Sequence, residues 1–143
     1  MKRIAQVLNG SSAEDLGKFL IRFILAFGML FHGYGKLLGG AGHIAGMLEG
    51  MGIPSFIGYG VILGAFVAPL LIIVGFKSRL GGLVMSLTML VALLLVHTGD
   101  IFTVNDHGIW TIEVLAIYLV GGLGIAFLGS GKYSLSRGLG DWD

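Results

Sequence analysis

The stretch from Ile57 to Phe76 contains no charged side chain, and its one ionisable group is the hydroxyl of Tyr59. A helix needs roughly 20 mostly apolar residues to cross the hydrocarbon core of a bilayer. Three more stretches, at residues 16–38, 80–97 and 109–129, have a similar character. Charged residues make up 12% of the chain, against about 25% in soluble domains. We therefore predict an all-α membrane protein, a four-transmembrane-helix bundle forming a single domain over residues 1–143.

A closed β-barrel is the other architecture that spans membranes, because lipid offers no partner for unpaired backbone groups. Barrel strands alternate apolar and polar residues over about ten positions, whereas residues 61–74 are apolar throughout. Helices are therefore predicted. The span at 16–38 is the least apolar, since it includes Lys18, Arg22, His32 and Lys36. We expect Lys18 and Arg22 to extend toward one membrane face and Lys36 toward the other.

Basic residues are distributed very unevenly between the two predicted faces. Lys36 is the one basic residue expected outside, and the other eight lie at the opposite ends of the spans: Lys2, Arg3, Lys18, Arg22, Lys77, Arg79, Lys132 and Arg137. The positive-inside rule then predicts a multi-pass protein of the bacterial inner (cytoplasmic) membrane with both termini cytoplasmic. Residues 4–8 are too short for the apolar core of a signal peptide, so the first span is expected to be an uncleaved anchor.

The first outer loop is predicted to contain a short helix. Ile44, Met47, Leu48 and Met51 are spaced as one helical face, and Gly52 and Pro54 follow them. This pattern predicts an amphipathic helix over residues 43–51, lying on or dipping into the outer leaflet. Two G-x-x-x-G spacings, starting at Gly35 and Gly60, permit close helix approach. Packing within one chain and a homo-oligomer both fit those spacings.

Ionisable side chains inside a membrane are costly and are therefore candidates for function. At about 1.5 Å per helical residue, Lys36, His97 and Glu113 reach a similar outer level on three helices. His32 lies one turn deeper than Lys36 on the same face. We interpret these residues as an outward-facing polar pocket whose ligand-binding candidates are His32, Tyr34, Lys36, His97, Trp110 and Glu113. The alternative is a set of interfacial anchors in an aromatic belt.

The same residues bear on cofactors and catalysis. His32, His97 and Glu113 have the chemistry of a two-histidine, one-carboxylate set, but no H-x-x-x-H spacing supports a metal or a haem, and none is predicted. The chain has no cysteine, which removes thiolate nucleophiles and cysteine-bound clusters. No catalytic dyad is identifiable, so whether the protein is an enzyme stays open. The lipid bilayer is a predicted partner, and nucleic acid is not, because no basic stripe with interleaved aromatics occurs.

Short motifs recur in order along nearly the whole chain. They are FHGYGKL at residues 31–37, GMGIP at 50–54, GFKSRL at 75–80, MLVA at 89–92 and GSGKYSL at 129–135, together with Arg22, His97, Gly108 and Glu113. In this set the chain resembles the DoxX family. The resemblance implies a four-helix inner-membrane protein. Many members carry an acid in the second span before an Ala-Pro or Gly-Gly step, and residues 63–69 here have none.

Some relatives look like membrane subunits of quinone-linked oxidoreductases, including thiosulfate:quinone oxidoreductase, and others are linked to oxidative-stress complexes. The resemblance therefore implies a quinone as the candidate cofactor and a redox protein as the candidate partner. Two alternatives stay open. One is a non-catalytic transporter-like or lipid-binding membrane module, and the other is a structural scaffold.

Overall fold

The structure is a computed structural model that describes residues 10–39 and 41–143. Within these ranges the chain forms five α-helices and no β-strand. They are α1 (Ser11–Gly39), α2 (Ala41–Gly50), α3 (Phe56–Val74), α4 (Ser78–Val96) and α5 (Glu113–Leu128), and a 3-10 turn at Thr98–Asp100 follows α4. The prediction of an all-helical chain is confirmed for this part. Lys2 and Arg3 lie outside the described residues.

In the part of the chain that the structure describes, three helices are long and apolar enough to cross a membrane: Ser11–Gly35 within α1, and the whole of α3 and α4. Helix α5 is also apolar, but its 16 residues span only about 24 Å. It begins four residues after the predicted start of the fourth span. The side chain of Asn105 accepts the backbone N–H groups of His107 and Ile109, and Val104 pairs with Trp110. This small hairpin draws residues 109–112 out of the helix.

Helix α1 begins at Ser11, five residues before the predicted span, because the carbonyl of Gly10 accepts the N–H groups of Ala13 and Glu14. Glu14 and Lys18, one turn apart in this helix, form an ion pair at 2.7 Å. A helix also occupies Ala41–Gly50, close to the predicted one. It buries Ala45 and Leu48 and packs against α3. Its amphipathic character and its position in the outer leaflet stay predictions.

The four long helices form a closed ring. Helix α1 packs on α3, α3 on α4, α4 on α5, and α5 on α1. The ring buries a core drawn from all four helices: Ala26, Met29, Ala65, Ala68, Ile72, Met85, Met89 and Ile125. Large apolar side chains also cover the outside, such as Ile24 on α1 and Leu87 on α4. An apolar exterior of this size is typical of a surface that contacts lipid.

Close helix approach occurs at Gly64, in one of the predicted spacings, where a Cβ atom would lie 3.0 Å from Oγ1 of Thr88, and also at glycines outside those spacings. A Cβ atom on Gly33 would lie 2.8 Å from the carbonyl oxygen of Ala65. Pro69 has no N–H to donate to that oxygen, so α1 approaches α3 where the helix lacks a hydrogen bond. Gly35 and Gly60 have no neighbouring atom within 4 Å of a Cβ position. The two predicted spacings therefore begin at positions that make no close contact within the described chain.

Helices α1 and α4 begin at one end of the bundle, and α3 and α5 end there. Five cations of the described residues lie at this end: Lys18, Lys77, Arg79, Lys132 and Arg137. We call it the basic end, and the opposite end the far end.

Arg22 was expected to extend toward a membrane face, and this prediction is wrong. The residue is buried, with 2% exposure. Its guanidinium donates to the carbonyls of Ile72, Ile73 and Tyr133. The last carbonyls of a helix have no partner within the helix, and Arg22 supplies one for α3.

Arg79 serves the end of α5 in the same way. Its Nη1 donates to the carbonyls of Ala126 at 2.8 Å and Phe127 at 2.7 Å, and its Nε donates to the backbone oxygen of Asp143 at 2.6 Å. The segment at residues 129–143 follows α5 and folds back over the basic end. There the N–H of Leu135 donates to the carbonyl of Val74 at 3.1 Å. Two arginines thus join helix ends to this C-terminal segment.

Candidate functional site

Three of the six predicted pocket residues lie on adjoining elements at the far end. His97 is the residue that ends α4, and its Nδ1 lies 2.9 Å from a carboxylate oxygen of Asp100. The indole N–H of Trp110 donates to the carbonyl of Ile101 at 2.7 Å. Glu113 opens α5 with an exposed side chain, and its N–H donates to the carbonyl of Trp110 at 2.9 Å. His97 and Glu113 thus both lie at helix ends at the far end, and their common level in the outer half of the membrane stays a prediction.

His32 lies on the side of α1 that faces α5. It is half-buried, and its ring centroid is 6.0 Å from that of Tyr118. The Tyr118 hydroxyl lies against α1 one turn away, where a Cβ atom on Gly28 would overlap it. Glycine at this position therefore lets the tyrosine cross the face of α1. Sequence reasoning missed Tyr118, although a tyrosine inside an apolar stretch is a recognisable signal.

Tyr34 lines a groove between α1 and α3 that opens to the outside of the bundle. The groove has a volume of about 250 Å³ and is lined by Phe27, Leu30, Phe31, Tyr34, Phe66 and Leu70. We call it the aromatic groove. Its α1 wall continues a ladder of rings at Phe19, Phe23, Phe27 and Phe31, with successive centroids 5.8, 5.7 and 5.1 Å apart. The four-residue spacing of these phenylalanines is visible in the sequence and could have identified this face.

The predicted pocket residues therefore lie at three separate places in the bundle. His32 contacts α5, Tyr34 faces the aromatic groove beside α3, and His97, Trp110 and Glu113 lie where α4 and α5 meet the far end. The side chain of Lys36 lies outside what the structure describes. A single cavity shared by all six stays a prediction.

The two-histidine, one-carboxylate set is not assembled. Among the described residues, no three His, Asp or Glu side chains are grouped closely enough to hold a metal ion. His97 instead uses its Nδ1 toward Asp100. The chemistry that the described site offers is aromatic stacking in the groove and polar groups, His32 and Tyr118, on the adjoining side of α1.

A family model described as DoxX matches residues 17–98, which is more than half of the chain. The match covers α1 from its second turn through α4, and it includes His32, Tyr34 and His97. No curated protein and no solved structure matches the chain.

Proposed function

The chain belongs to the DoxX family, and from this membership we propose that it is the membrane subunit of a quinone-linked oxidoreductase or oxidative-stress complex. Family and apolar helices together make it an integral membrane protein. In the proposal, it crosses the bacterial inner membrane four times with both termini cytoplasmic. It holds a lipid-soluble small molecule, a quinone, in the outer half of the membrane and supports a redox protein partner.

The aromatic groove is the observation that carries this proposal. Its lining is apolar, and three phenylalanine rings, Phe27, Phe31 and Phe66, face it. A quinone head group is planar and uncharged, so it can stack on such rings and needs few polar contacts. The groove also opens sideways toward lipid, from which a quinone would enter. Tyr34 contributes apolar surface to the groove as well, so stacking on the rings is the contact that the proposal relies on.

Reduction of a quinone takes up two electrons and two protons. We propose that the electrons come from the redox partner at the outer face, since the four-span topology exposes the far end there. His32, His97 and Glu113 are the candidates for proton transfer, because imidazole and carboxyl groups can both accept and donate protons. The absence of an acid at residues 63–69 means that any proton route differs from the one implied for many relatives.

The test is quinone binding by the purified protein. We expect a short-chain quinone to quench the tryptophan fluorescence of the detergent-solubilised protein, which comes from Trp110 and Trp142. We also expect that quinone can be extracted from the protein purified from membranes. Phe31→Ala should weaken binding by about two- to tenfold, since an aromatic pair contributes about 0.5–1.5 kcal/mol. The matched control is Phe127→Ala, which removes an aromatic ring that is 79% exposed on α5, away from the groove.

Equal weakening by both substitutions would contradict a quinone site in the groove.

A lipid-binding module without catalysis is the second candidate function, and the apolar lining of the groove favours it equally. It predicts that phospholipid acyl chains occupy the groove and that quinone fails to displace them. Mass spectrometry of the protein released from nanodiscs, with and without added quinone, separates the two functions.

A further inference from the structure

A polar cleft of about 300 Å³ lies at the basic end, remote from the aromatic groove. Its walls are the first two turns of α1, the start of α4, the end of α5 and the C-terminal segment. Four cations line it, Lys18, Arg79, Lys132 and Arg137, and two carboxylates, Asp15 and Asp143. We call it the basic cleft. The side chains that line it carry a formal excess of two positive charges.

Both carboxylates of the basic cleft already accept backbone N–H groups. Asp15 accepts the N–H of Lys132 at 3.1 Å, and Asp143 accepts the N–H of Ser78 at 3.3 Å. Neither forms an ion pair among the described residues. The carboxylates therefore hold the C-terminal segment in place and leave the side chains of Lys132 and Arg137 without an acidic partner.

Local backbone geometry brings these two cations to one cleft. Gly131 adopts a positive φ of +70°, and a Cβ atom there would lie 3.1 Å from Asp15 and 3.2 Å from Lys18. Glycine thus lets the C-terminal segment lie directly on the first turns of α1. The chain then returns, so that Gly138 lies beside Gly131. Lys132 and Arg137, at the two ends of this short loop, both line the cleft.

The basic cleft also borders the apolar surface of the bundle. Leu128, the last residue of α5, lines the cleft and is half-exposed, and Phe127 beside it is mostly exposed. A ligand with an anionic head and apolar chains matches this change from a cationic cleft to an apolar helix surface.

We propose that the basic cleft binds the phosphate group of an anionic phospholipid. Lysine and arginine form charge-assisted hydrogen bonds with phosphate oxygens, and basic pockets at the ends of transmembrane helices suit acidic head groups. Lys132 and Arg137 contact the phosphate, while Lys18 and Arg79 add positive charge from the walls of the cleft that α1 and α4 form. The acyl chains lie along Leu128 and the neighbouring surface of α5. This site is independent of the proposed quinone function, since it shares no residue with the aromatic groove.

The test compares lipids with identical chains on the protein in a neutral detergent. Native mass spectrometry measures the affinity for dioleoyl phosphatidylglycerol and for dioleoyl phosphatidylcholine. With about 1 kcal/mol per basic residue, Lys132→Gln should weaken phosphatidylglycerol binding about fivefold and Lys132→Gln with Arg137→Gln about 30-fold. Phosphatidylcholine, whose choline group cancels the phosphate charge, should bind more weakly to the wild type and should lose less affinity in each variant. The matched control is Lys77→Gln, an exposed lysine at the same end that packs over the Phe76 ring; it should change phosphatidylglycerol binding less than about twofold.

Equal weakening by Lys77→Gln and Lys132→Gln would overturn the proposal, because it would mean that the lipid responds to overall charge. A third arm adds inorganic phosphate at constant ionic strength. If phosphate alone raises the midpoint of thermal unfolding in the wild type but not in the double variant, and phosphatidylglycerol does not displace it, then the ligand is a soluble phosphate. A normal elution volume of each variant on size-exclusion chromatography establishes that a loss of binding is not a loss of folding.

Discussion

At the scale of single residues, Arg22 shows how a charged side chain is accommodated inside an apolar bundle. A buried guanidinium is costly unless its donors are satisfied. Here Nη1 meets carbonyls that the end of α3 cannot satisfy itself, at Ile72 and Ile73, whereas the buried Nε has no hydrogen-bond partner among the described residues. The same side chain reaches the carbonyl of Tyr133 in the C-terminal segment. Arg22 therefore stabilises a helix end and a chain segment together, a role that long-range contacts create and that no local sequence pattern reveals.

Arg22→Met should consequently destabilise the protein strongly. The substitution keeps an apolar stem of similar length but leaves three carbonyls without their donor, and each unsatisfied buried group costs about 1–3 kcal/mol. We expect the free energy of unfolding in mixed detergent micelles to fall by about 3 kcal/mol. Titration with a denaturing detergent, followed by circular dichroism, measures it.

Lys18→Met is the matched control, since Lys18 lies one helical turn earlier. It pairs with Glu14, whose side chain is 69% exposed, and such a pair contributes about 0.5 kcal/mol or less. If both substitutions lowered the stability equally, the hydrogen bonds of Arg22 would not be important for the fold.

At the scale of elements, the contact between α4 and α5 is the most extensive in the bundle. Gly82 and Gly122 face each other there, and a Cβ atom on Gly122 would lie 2.7 Å from the carbonyl oxygen of Gly82. The hydroxyl of Ser86 donates to the carbonyl of Leu119 at 2.6 Å in the same contact. Small residues and a polar bond are the means by which apolar helices associate in lipid.

Gly122→Ala should therefore weaken the association of α4 with α5. The added methyl group must displace backbone as well as the Ser86 side chain, so we expect a loss of about 1–3 kcal/mol in the free energy of unfolding. Gly124→Ala, two residues along the same helix, has no atom within 4 Å of its Cβ position. It should be neutral or slightly stabilising, because alanine favours helix. A comparison of the thermal unfolding midpoints of the two variants decides whether this contact is as close as described.

The elements could be predicted from the sequence more fully than their contacts. Apolar length and basic residues located α1, α3 and α4 within a few residues, because the cost of exposing backbone in lipid is local to each helix. Which faces pack could not be predicted in the same way. Helices such as α3 are apolar on all sides, so no periodicity separates a core face from a lipid face. The close contact at Gly82 and Gly122 and the ring of Tyr118 beside His32 depend on that tertiary choice.

At the scale of the whole molecule, the length of α5 raises the question of the fourth span. Its 16 residues cover less than the roughly 30 Å of a hydrocarbon core. However, Arg79 binds the last carbonyls of α5 at the basic end, and the first residue of α5 follows the hairpin at the far end. Helix α5 thus runs along most of α4, and apolar residues such as Ile109 and Ile112 extend it at the far end. In the proposed four-span topology, a locally thinner bilayer would accommodate the remaining difference.

The four-span topology can be tested directly because the chain contains no cysteine. We expect His107→Cys, in the far-end hairpin, to react with a membrane-impermeant maleimide in intact spheroplasts. Lys77→Cys and Leu139→Cys should react only after the membrane is permeabilised, because the positive-inside rule places the basic end in the cytoplasm. Lys77→Cys is the control for Leu139→Cys. Both residues are exposed at the basic end, but Lys77 precedes α5 in the sequence and Leu139 follows it. Labelling of Leu139→Cys from outside, with Lys77→Cys protected, would mean that α5 does not cross the membrane. The redox partner would then have to meet the protein on a different face from the one proposed.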